Sequence, residues 1–492
     1  MVLSTDSSGN SISDDLPTSN PKMKHRFRYR DVYRHIFIQK KQNPLKLDST
    51  DSVLVLFFTA IGLLSRVFRI QFPNSVVFDE VYFGNFTNYY IQGRYFHDIH
   101  PPLAKLIMAG ISKFAGYKGD FKFQEIGNGR YPTMYYVALR MIPAFFGGLC
   151  VPLSYLVVRT IGCSHFASST AALMVFSDLM LIVEARHILS DGILHFFSCL
   201  AIFSIYLNKR YGNMVSLLFE GFCLGCVASC KYTSGGIVLM GIVLQFNFKK
   251  LSFDDIGCSI IRSFLICLMV GIIHIICFAI HLSILPYKPI DNCIIPNIIN
   301  TSLIDPQNPD WEKRNNAPPM IFRILSLMLN MHVSNMNVKS GHPYSSKWWS
   351  WPLCLSRWVL YWTVDGRHII CMGNVLLWYP VFIGILIRII KIIITKDLES
   401  HSFSTLIGYL LSYLPFALIS RDMFLYHYAI PLLFGIYNIC NLVDETSPKA
   451  RGFLFCLLSS MCLFGYFLWN PWVYGLTTPD FNFLVWNNKW RG

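Results

Sequence analysis

Charge is what this sequence has least of: 14% of its 492 residues are Asp, Glu, Lys or Arg, against 53% hydrophobic residues and a mean hydropathy of +0.42. That leaves too little polar surface to solvate a globule of this size, which excludes a soluble fold and points to a bilayer. Residues 1–21 are rich in Ser, Asp and Asn and carry no apolar core of signal-peptide length, so the first apolar run is expected to act as its own insertion signal. The chain has no G-x-x-x-x-G-K-S/T loop, no G-x-G-x-x-G fingerprint and no Asp-x-Asp signature, which argues against a soluble nucleotide sugar as substrate. Its cysteines sit mostly inside apolar runs, where a small hydrophobe is the expected role. Cys223 and Cys226 form one C-x-x-C without a second ligand pair, so no metal or redox centre is expected there.

What the chain does have is long apolar runs with short polar breaks, about eleven of them, each of a length to cross hydrocarbon as a helix. They cover 53–70, 134–158, 166–184, 190–207, 214–230, 232–248, 259–284, 372–395, 403–420, 424–442 and 453–469. The expected fold class is an all-α polytopic membrane protein. Lys and Arg collect on cytoplasmic flanks. A basic tail, residues 1–50 with a disordered first stretch, then belongs in the cytoplasm, and the alternate breaks that should join it there are all basic. They carry Arg159, then Lys209 and Arg210, then Lys249 and Lys250, then Arg388, Lys391 and Lys396, and finally Lys449 and Arg451. The same alternation sends the carboxyl terminus, 471–492, to the far side. It also accounts for much of the net charge of +14 as lipid-facing cations, so no nucleic-acid partner is expected.

Two long polar segments, 71–133 and 285–371, face away from the cytoplasm in this topology. They divide the chain into membrane portions at 51–284 and 372–470. Long connections of this kind are usually functional. The first carries Asp79 and Glu80 directly after a span, between Val76-Val77-Phe78 and Val81-Tyr82-Phe83. Adjacent acids can simply be solvated or cap a helix. An apolar setting, however, raises a carboxyl pKa and suits proton abstraction. His100-Pro101-Pro102 then breaks the chain, and Leu103 to Phe114 reads as an amphipathic helix along the interface. Other ionisable residues fall at span ends on the same side: Arg66, Arg69, Arg140, Glu184, Arg186, Asp191, Lys231, Arg421 and His427. Structural ion pairing explains any one of them; the whole set on one side points to a polar cavity, and cations around an acid suit a lipid-linked phosphate beside a proton acceptor.

These residues also compose a family pattern. The run from Pro73 to Gly84, PNSVVFDEVYFG, with Asp98-Ile99-His100-Pro101-Pro102-Leu103-Ala104-Lys105, resembles the first luminal loop of dolichyl-phosphate-mannose protein O-mannosyltransferases. In the family's order follow Leu139-Arg140-Met141, Ser229-Cys230-Lys231-Tyr232, His342-Pro343-Tyr344, Trp351-Pro352-Leu353, Gly373-Asn374 and Phe424-Leu425-Tyr426-His427-Tyr428. The resemblance implies a GT-C glycosyltransferase fold and inverting transfer of mannose from dolichyl phosphate mannose to Ser or Thr of secretory proteins. The location it implies is the endoplasmic reticulum membrane, or the plasma membrane in a prokaryote, with the chain paired with itself or with a paralogue. It makes Asp79 the catalytic base, with Glu80 as its functional neighbour. Arg66, Arg140 and Lys231 become partners of the donor phosphate or of the acids. His100, His342, Tyr344, Asn374, Arg421 and His427 are further candidates. No cofactor or metal is expected.

The departure lies in 285–371, too short for the β-trefoil MIR domain of fungal and animal members. This segment holds the Asn300-Thr301-Ser302 sequon and an aromatic-rich stretch with Trp348, Trp349, Trp351, Trp358 and Trp362; a second sequon starts at Asn85. Two alternatives stay open: a related enzyme with a lipid acceptor, and a lipid or sugar transporter, against which no inverted repeat is found in the spans.

Overall fold

Asp48 caps the first helix, α1 (Ser49–Val67), and exchanges reciprocal hydrogen bonds with Asp51 one turn later, so the helix starts sharply beside the polar tail. The computed structural model describes residues 45–127, 130–246, 252–305, 307, 317–338, 341–397, 401–477 and 481–490. Most of the basic tail and the Lys249–Lys250 break lie outside the described residues. In the first polar segment, α2 (Glu80–Gln92) and α3 (Leu103–Phe114) follow, the latter over the stretch expected to be amphipathic.

The membrane portion continues with α4 (Tyr135–Ile161), α5 (His165–Ser177), α6 (Leu179–Arg186), α7 (Asp191–Tyr211) and α8 (Met214–Ala228). A 3-10 turn, Tyr232–Ser234, leads into α9 (Gly235–Val243), and α10 (Phe253–Ser283) closes this half. In the second polar segment lie α11 (Met320–Met336) and an antiparallel hairpin of β1 (Val359–Val364) and β2 (Arg367–Cys371). Then come α12 (Val375–Thr395), α13 (His401–Tyr413), α14 (Ala429–Asp444) and α15 (Pro448–Trp469).

Each expected span thus has a helical counterpart, but they are not equal. Among the described residues six helices are long and apolar enough to cross a membrane, and α5 with α6, bent by 55°, makes a seventh if the pair forms one span. The 15 residues of α8 extend roughly 22 Å, short of about 30 Å of hydrocarbon. Short or broken helices are tolerated at that depth where protein covers them or where they line a cavity. Between them, α8, α9, α13 and α14 have such breaks beside Lys231, Leu414–Leu418 and Leu425–Tyr428. The irregular backbone is thereby concentrated around one site.

Small residues bring the first helices together. A Cβ on Gly62 of α1 would lie 2.5 Å from the Gly148 carbonyl oxygen of α4, so only glycine permits this approach. The basic residues expected at the cytoplasmic end find acidic partners there. Arg159 bonds Asp51 through Nε at 2.7 Å, Tyr155 donates to the same carboxylate at 2.6 Å, and Arg388 pairs with Glu445 at 2.8 Å. Two of these arginines had counted only as orientation signals; folding turned them into buried or half-buried ion pairs.

Candidate active site

The first site element is the turn before α2. Phe78 adopts a left-handed backbone (φ 46°), unfavourable for a bulky side chain, and is held there from the second polar segment. Its N–H donates to the Tyr361 carbonyl at 3.1 Å, and its ring stacks on Tyr361 with centroids 3.9 Å apart. Trp362 adds a hydrogen bond from Nε1 to Ser75 Oγ at 2.9 Å. The hairpin therefore braces the loop that delivers the two acids.

Those acids part company. Glu80 is fully buried and its two oxygens are saturated. Oε1 accepts from Arg140 Nε at 2.7 Å and the Ile188 N–H at 3.0 Å; Oε2 accepts from Arg140 Nη2 at 2.8 Å, the Val77 N–H at 2.9 Å and the Tyr131 hydroxyl at 2.9 Å. Burial alone would raise its pKa, but the Arg140 guanidinium holds it well below the usual carboxylate range. A carboxylate so committed has no lone pair left for a substrate proton. Of the two acids expected to be catalytic, Glu80 is thus placed as an anchor of the loop.

Asp79, at the N-cap of α2, makes no capping bond with its side chain. Burial pushes its pKa up to about 7; Lys231 opposes the rise, and Asp191 and Asp98 add to it. A group titrating there is basic enough to take a hydroxyl proton and is still about half ionised at pH 7.

Lys231, in the break after α8, is 7% exposed and donates to Asp191 Oδ1 at 2.8 Å, from the first residue of α7. Burial would strip its proton, but Asp191 outweighs this and holds the ammonium above its ordinary value. Its Nζ lies 5.7 Å from the centre of the Tyr426 ring, and Tyr426 in turn meets Phe78 edge to face. His100 reaches the same place because the Leu103 N–H, just after the double proline, donates to the Ser229 carbonyl at 2.9 Å. Lys105 bonds Asp98 and the His100 carbonyl and so ties that turn. A cavity of about 330 Å³ opens from Lys231, His100 and Arg421 along an apolar wall that includes Leu239, Leu411 and Leu418. One end of this groove is cationic and the rest is greasy, the profile of a phosphate on a hydrocarbon chain.

Other candidates fall elsewhere. Arg140 is an acid partner only, its remaining N–H groups donating to the Pro73 and Ser75 carbonyls at 2.8 and 3.0 Å. Arg66 serves neither role: it donates to Ser65 Oγ at 2.8 Å and to the Val175 carbonyl at 2.9 Å, joining α1 to α5. Asn374 ties helices together through the Ser177 and Cys462 carbonyls, at 3.0 and 2.9 Å. His342 and Tyr344 form an exposed-to-half-buried turn held by Asp422, which accepts from the His342 N–H at 2.7 Å. His427 lies beside Asp191 and Lys231. Tyr361 and Tyr426 had no place among the expected site residues. Their chemistry is contact between rings across distant segments, which a linear pattern does not display.

Glu184, Asp191 and His195 could hold a cation, offering ligand atoms within 4.8 Å of one another, as do Asp48, Asp51 and His165 at the opposite end. At the first of these the Lys231 ammonium already bonds Asp191, and like-charge repulsion works against a metal beside it.

Two family models match the chain. One, dolichyl-phosphate-mannose-protein mannosyltransferase, covers residues 56–287, and the other, the C-terminal four TMM region of protein-O-mannosyltransferase, covers 321–491. Among similar curated proteins, Protein O-mannosyl-transferase 1 of Danio rerio is 37% identical over 42% of this chain and 29% of its own length. Dolichyl-phosphate-mannose--protein mannosyltransferase 3 of Saccharomyces cerevisiae is 28% identical over 61% of this chain and 42% of its own. The chain spans less than half the length of these curated relatives. A solved structure described as the S. cerevisiae protein O-mannosyltransferase Pmt1-Pmt2 complex bound to the sugar donor superposes with a TM-score of 0.79 at 18% identity, covering 94% of each chain.

Proposed function

The chain belongs to the dolichyl-phosphate-mannose-protein mannosyltransferase family of GT-C glycosyltransferases, and from that membership we propose that it transfers mannose from dolichyl phosphate mannose to Ser or Thr hydroxyls of secretory-pathway proteins. The observation that carries the reading is a carboxylate, Asp79, that makes no capping bond and sits near a buried ammonium, Lys231, at the head of an apolar groove.

Each part has a role. The groove takes the polyisoprenyl chain, and Lys231 meets the phosphate through a charge-assisted hydrogen bond. Asp79 accepts the proton of the acceptor hydroxyl as its oxygen attacks the anomeric carbon and the bond from that carbon to the phosphate oxygen breaks. The bonding electrons leave with dolichyl phosphate, which needs no proton to depart, and the configuration inverts. The positive charge facing the leaving group is supplied by Lys231, and no step is routed through a metal.

We further propose a multi-pass placement in the endoplasmic reticulum membrane, with the amino-terminal tail cytoplasmic and Asp79 luminal. A complex with a paralogue is supported by the pairing named for the similar yeast structure. The test is a transfer assay on the chain in lipid nanodiscs, alone and with a co-expressed paralogue, using labelled dolichyl phosphate mannose. Label on a Ser/Thr-rich peptide is expected; label only in a lipid product would overturn the reading.

A further inference from the structure

In the second polar segment, α11 bears a face that none of the described residues covers. Ile321, Phe322, Leu325, Leu329, Val333 and Met336 recur at helical spacing and are 43–64% exposed. Its opposite face, Ile324, Leu327 and Met331, packs with Phe278 and Leu282 near the end of α10. The contact is thus confined to the carboxyl-terminal part of α10.

What covers that face follows from its neighbours. α10 is the longest spanning helix, only 22% of its apolar window is covered by protein, and Ile276, Ile280 and Ile284 leave its flank exposed up to the level where α11 packs. The apolar face of α11 thus continues a surface that already meets lipid. The helix contains no acidic residue, which suits anionic headgroups. At its carboxyl end, Asn335 and Met336 line the groove that leads to Lys231, and Ser334 Oγ bonds His97 Nε2 of the first polar segment at 2.9 Å.

We propose that α11 lies in the plane of the membrane with the Ile321–Met336 face seated in the lipid leaflet, its end forming the wall past which a polyisoprenyl phosphate reaches Lys231. An in-plane helix of this kind would keep the groove mouth continuous with the leaflet, so a lipid-borne substrate enters sideways without passing through water.

The test uses the full chain in phosphatidylcholine nanodiscs, with Phe322→p-benzoylphenylalanine and, separately, Val333→p-benzoylphenylalanine. Illumination should join both positions to phospholipid, at the same shallow acyl depth by fragment mass. Adducts at clearly different depths, cross-links to a second polypeptide, or no lipid adduct would each overturn the placement. A kinetic arm uses the triple variant Leu325→Ser, Leu329→Ser, Val333→Ser. It should raise KM for a full-length polyisoprenyl donor roughly tenfold, with kcat within about twofold and KM unchanged for a short-chain soluble analogue. An equal rise for both donors would refute the role in donor access. This arm rests on the donor proposed above, whereas the adducts do not, so failure of the one reading is distinguishable from failure of the other.

Discussion

Arg140 holds Glu80 with two hydrogen bonds, 2.7 Å from Nε to Oε1 and 2.8 Å from Nη2 to Oε2, at a place where neither side chain is touched by solvent. The pair holds the Asp79 turn against α4 and sets the two neighbouring acids apart, Glu80 saturated and Asp79 without a capping bond.

Breaking that pair should therefore cost stability before it costs donor affinity. Arg140→Ala leaves a buried carboxylate uncompensated, a loss of about 3–5 kcal/mol. Thermal melting in detergent should show it as a large drop, with Arg140→Lys recovering only part because an ammonium cannot reproduce the planar fork. A normal melting curve accompanied by a raised donor KM would instead put Arg140 on the phosphate.

Replacing the base should do the reverse. Asp79→Asn is expected to lower transfer at least about 10²-fold while melting at neutral pH is not lowered. The pH profile gives a second reading. With the carboxyl raised from 3.8 to about 7, the ionised form is lost as the pH falls through that value, so the rate should drop about tenfold per pH unit below it. The folded chain holds this proton more tightly than the unfolded one. The carboxyl thus contributes stability at low pH that is lost as pH climbs from 3.8 to about 7, and Asp79→Asn should flatten that part of the stability profile. An unchanged rate profile in the variant would remove Asp79 from the chemistry.

Lys231 should act through the donor. Lys231→Ala is expected to raise the donor KM by about tenfold to 100-fold, the size of a charge-assisted contact, and Lys231→Arg should restore part of it. Asp191→Asn frees the ammonium from its 2.8 Å partner and should move KM more than melting temperature. Saturation curves against dolichyl phosphate mannose decide the matter; wild-type curves for all three variants would leave Lys231 with a structural role alone.

The two sequons are predicted to behave differently. Asn85 Nδ2 donates to the Val81 and Phe123 carbonyls, both at 2.8 Å, so its amide is locked inside the first polar segment. Asn300 ends a single helical turn on the half-buried surface of the second. In a eukaryotic host, Asn300→Gln should remove a glycan-dependent shift on a gel, and Asn85→Gln should leave mobility unchanged. Absence of any glycan at Asn300 would count against the luminal placement of 285–371.

By itself the sequence determined the solvent and which stretches become apolar helices, because hydrophobic run length and charge scarcity are properties of composition along a line; which of those helices are long enough to cross was visible only in the fold. It also marked Asp79, Glu80, Arg140 and Lys231, since the family pattern is local around each. Tertiary structure alone decided how these divide the work. Asp79 and Glu80 are adjacent and chemically alike, and nothing in the chain's order says which of them the guanidinium of Arg140, sixty positions later, will saturate. The pairing of Lys231 with Asp191, the bracing of Phe78 by Tyr361, and the use of Arg66 as a helix tie were likewise hidden. So was α11, whose two apolar faces make sense only once α10 is seen to cover one of them. The physical reason is common to all: a pKa, an ion pair or an exposed face is set by what approaches from another helix, and that distance is fixed by packing.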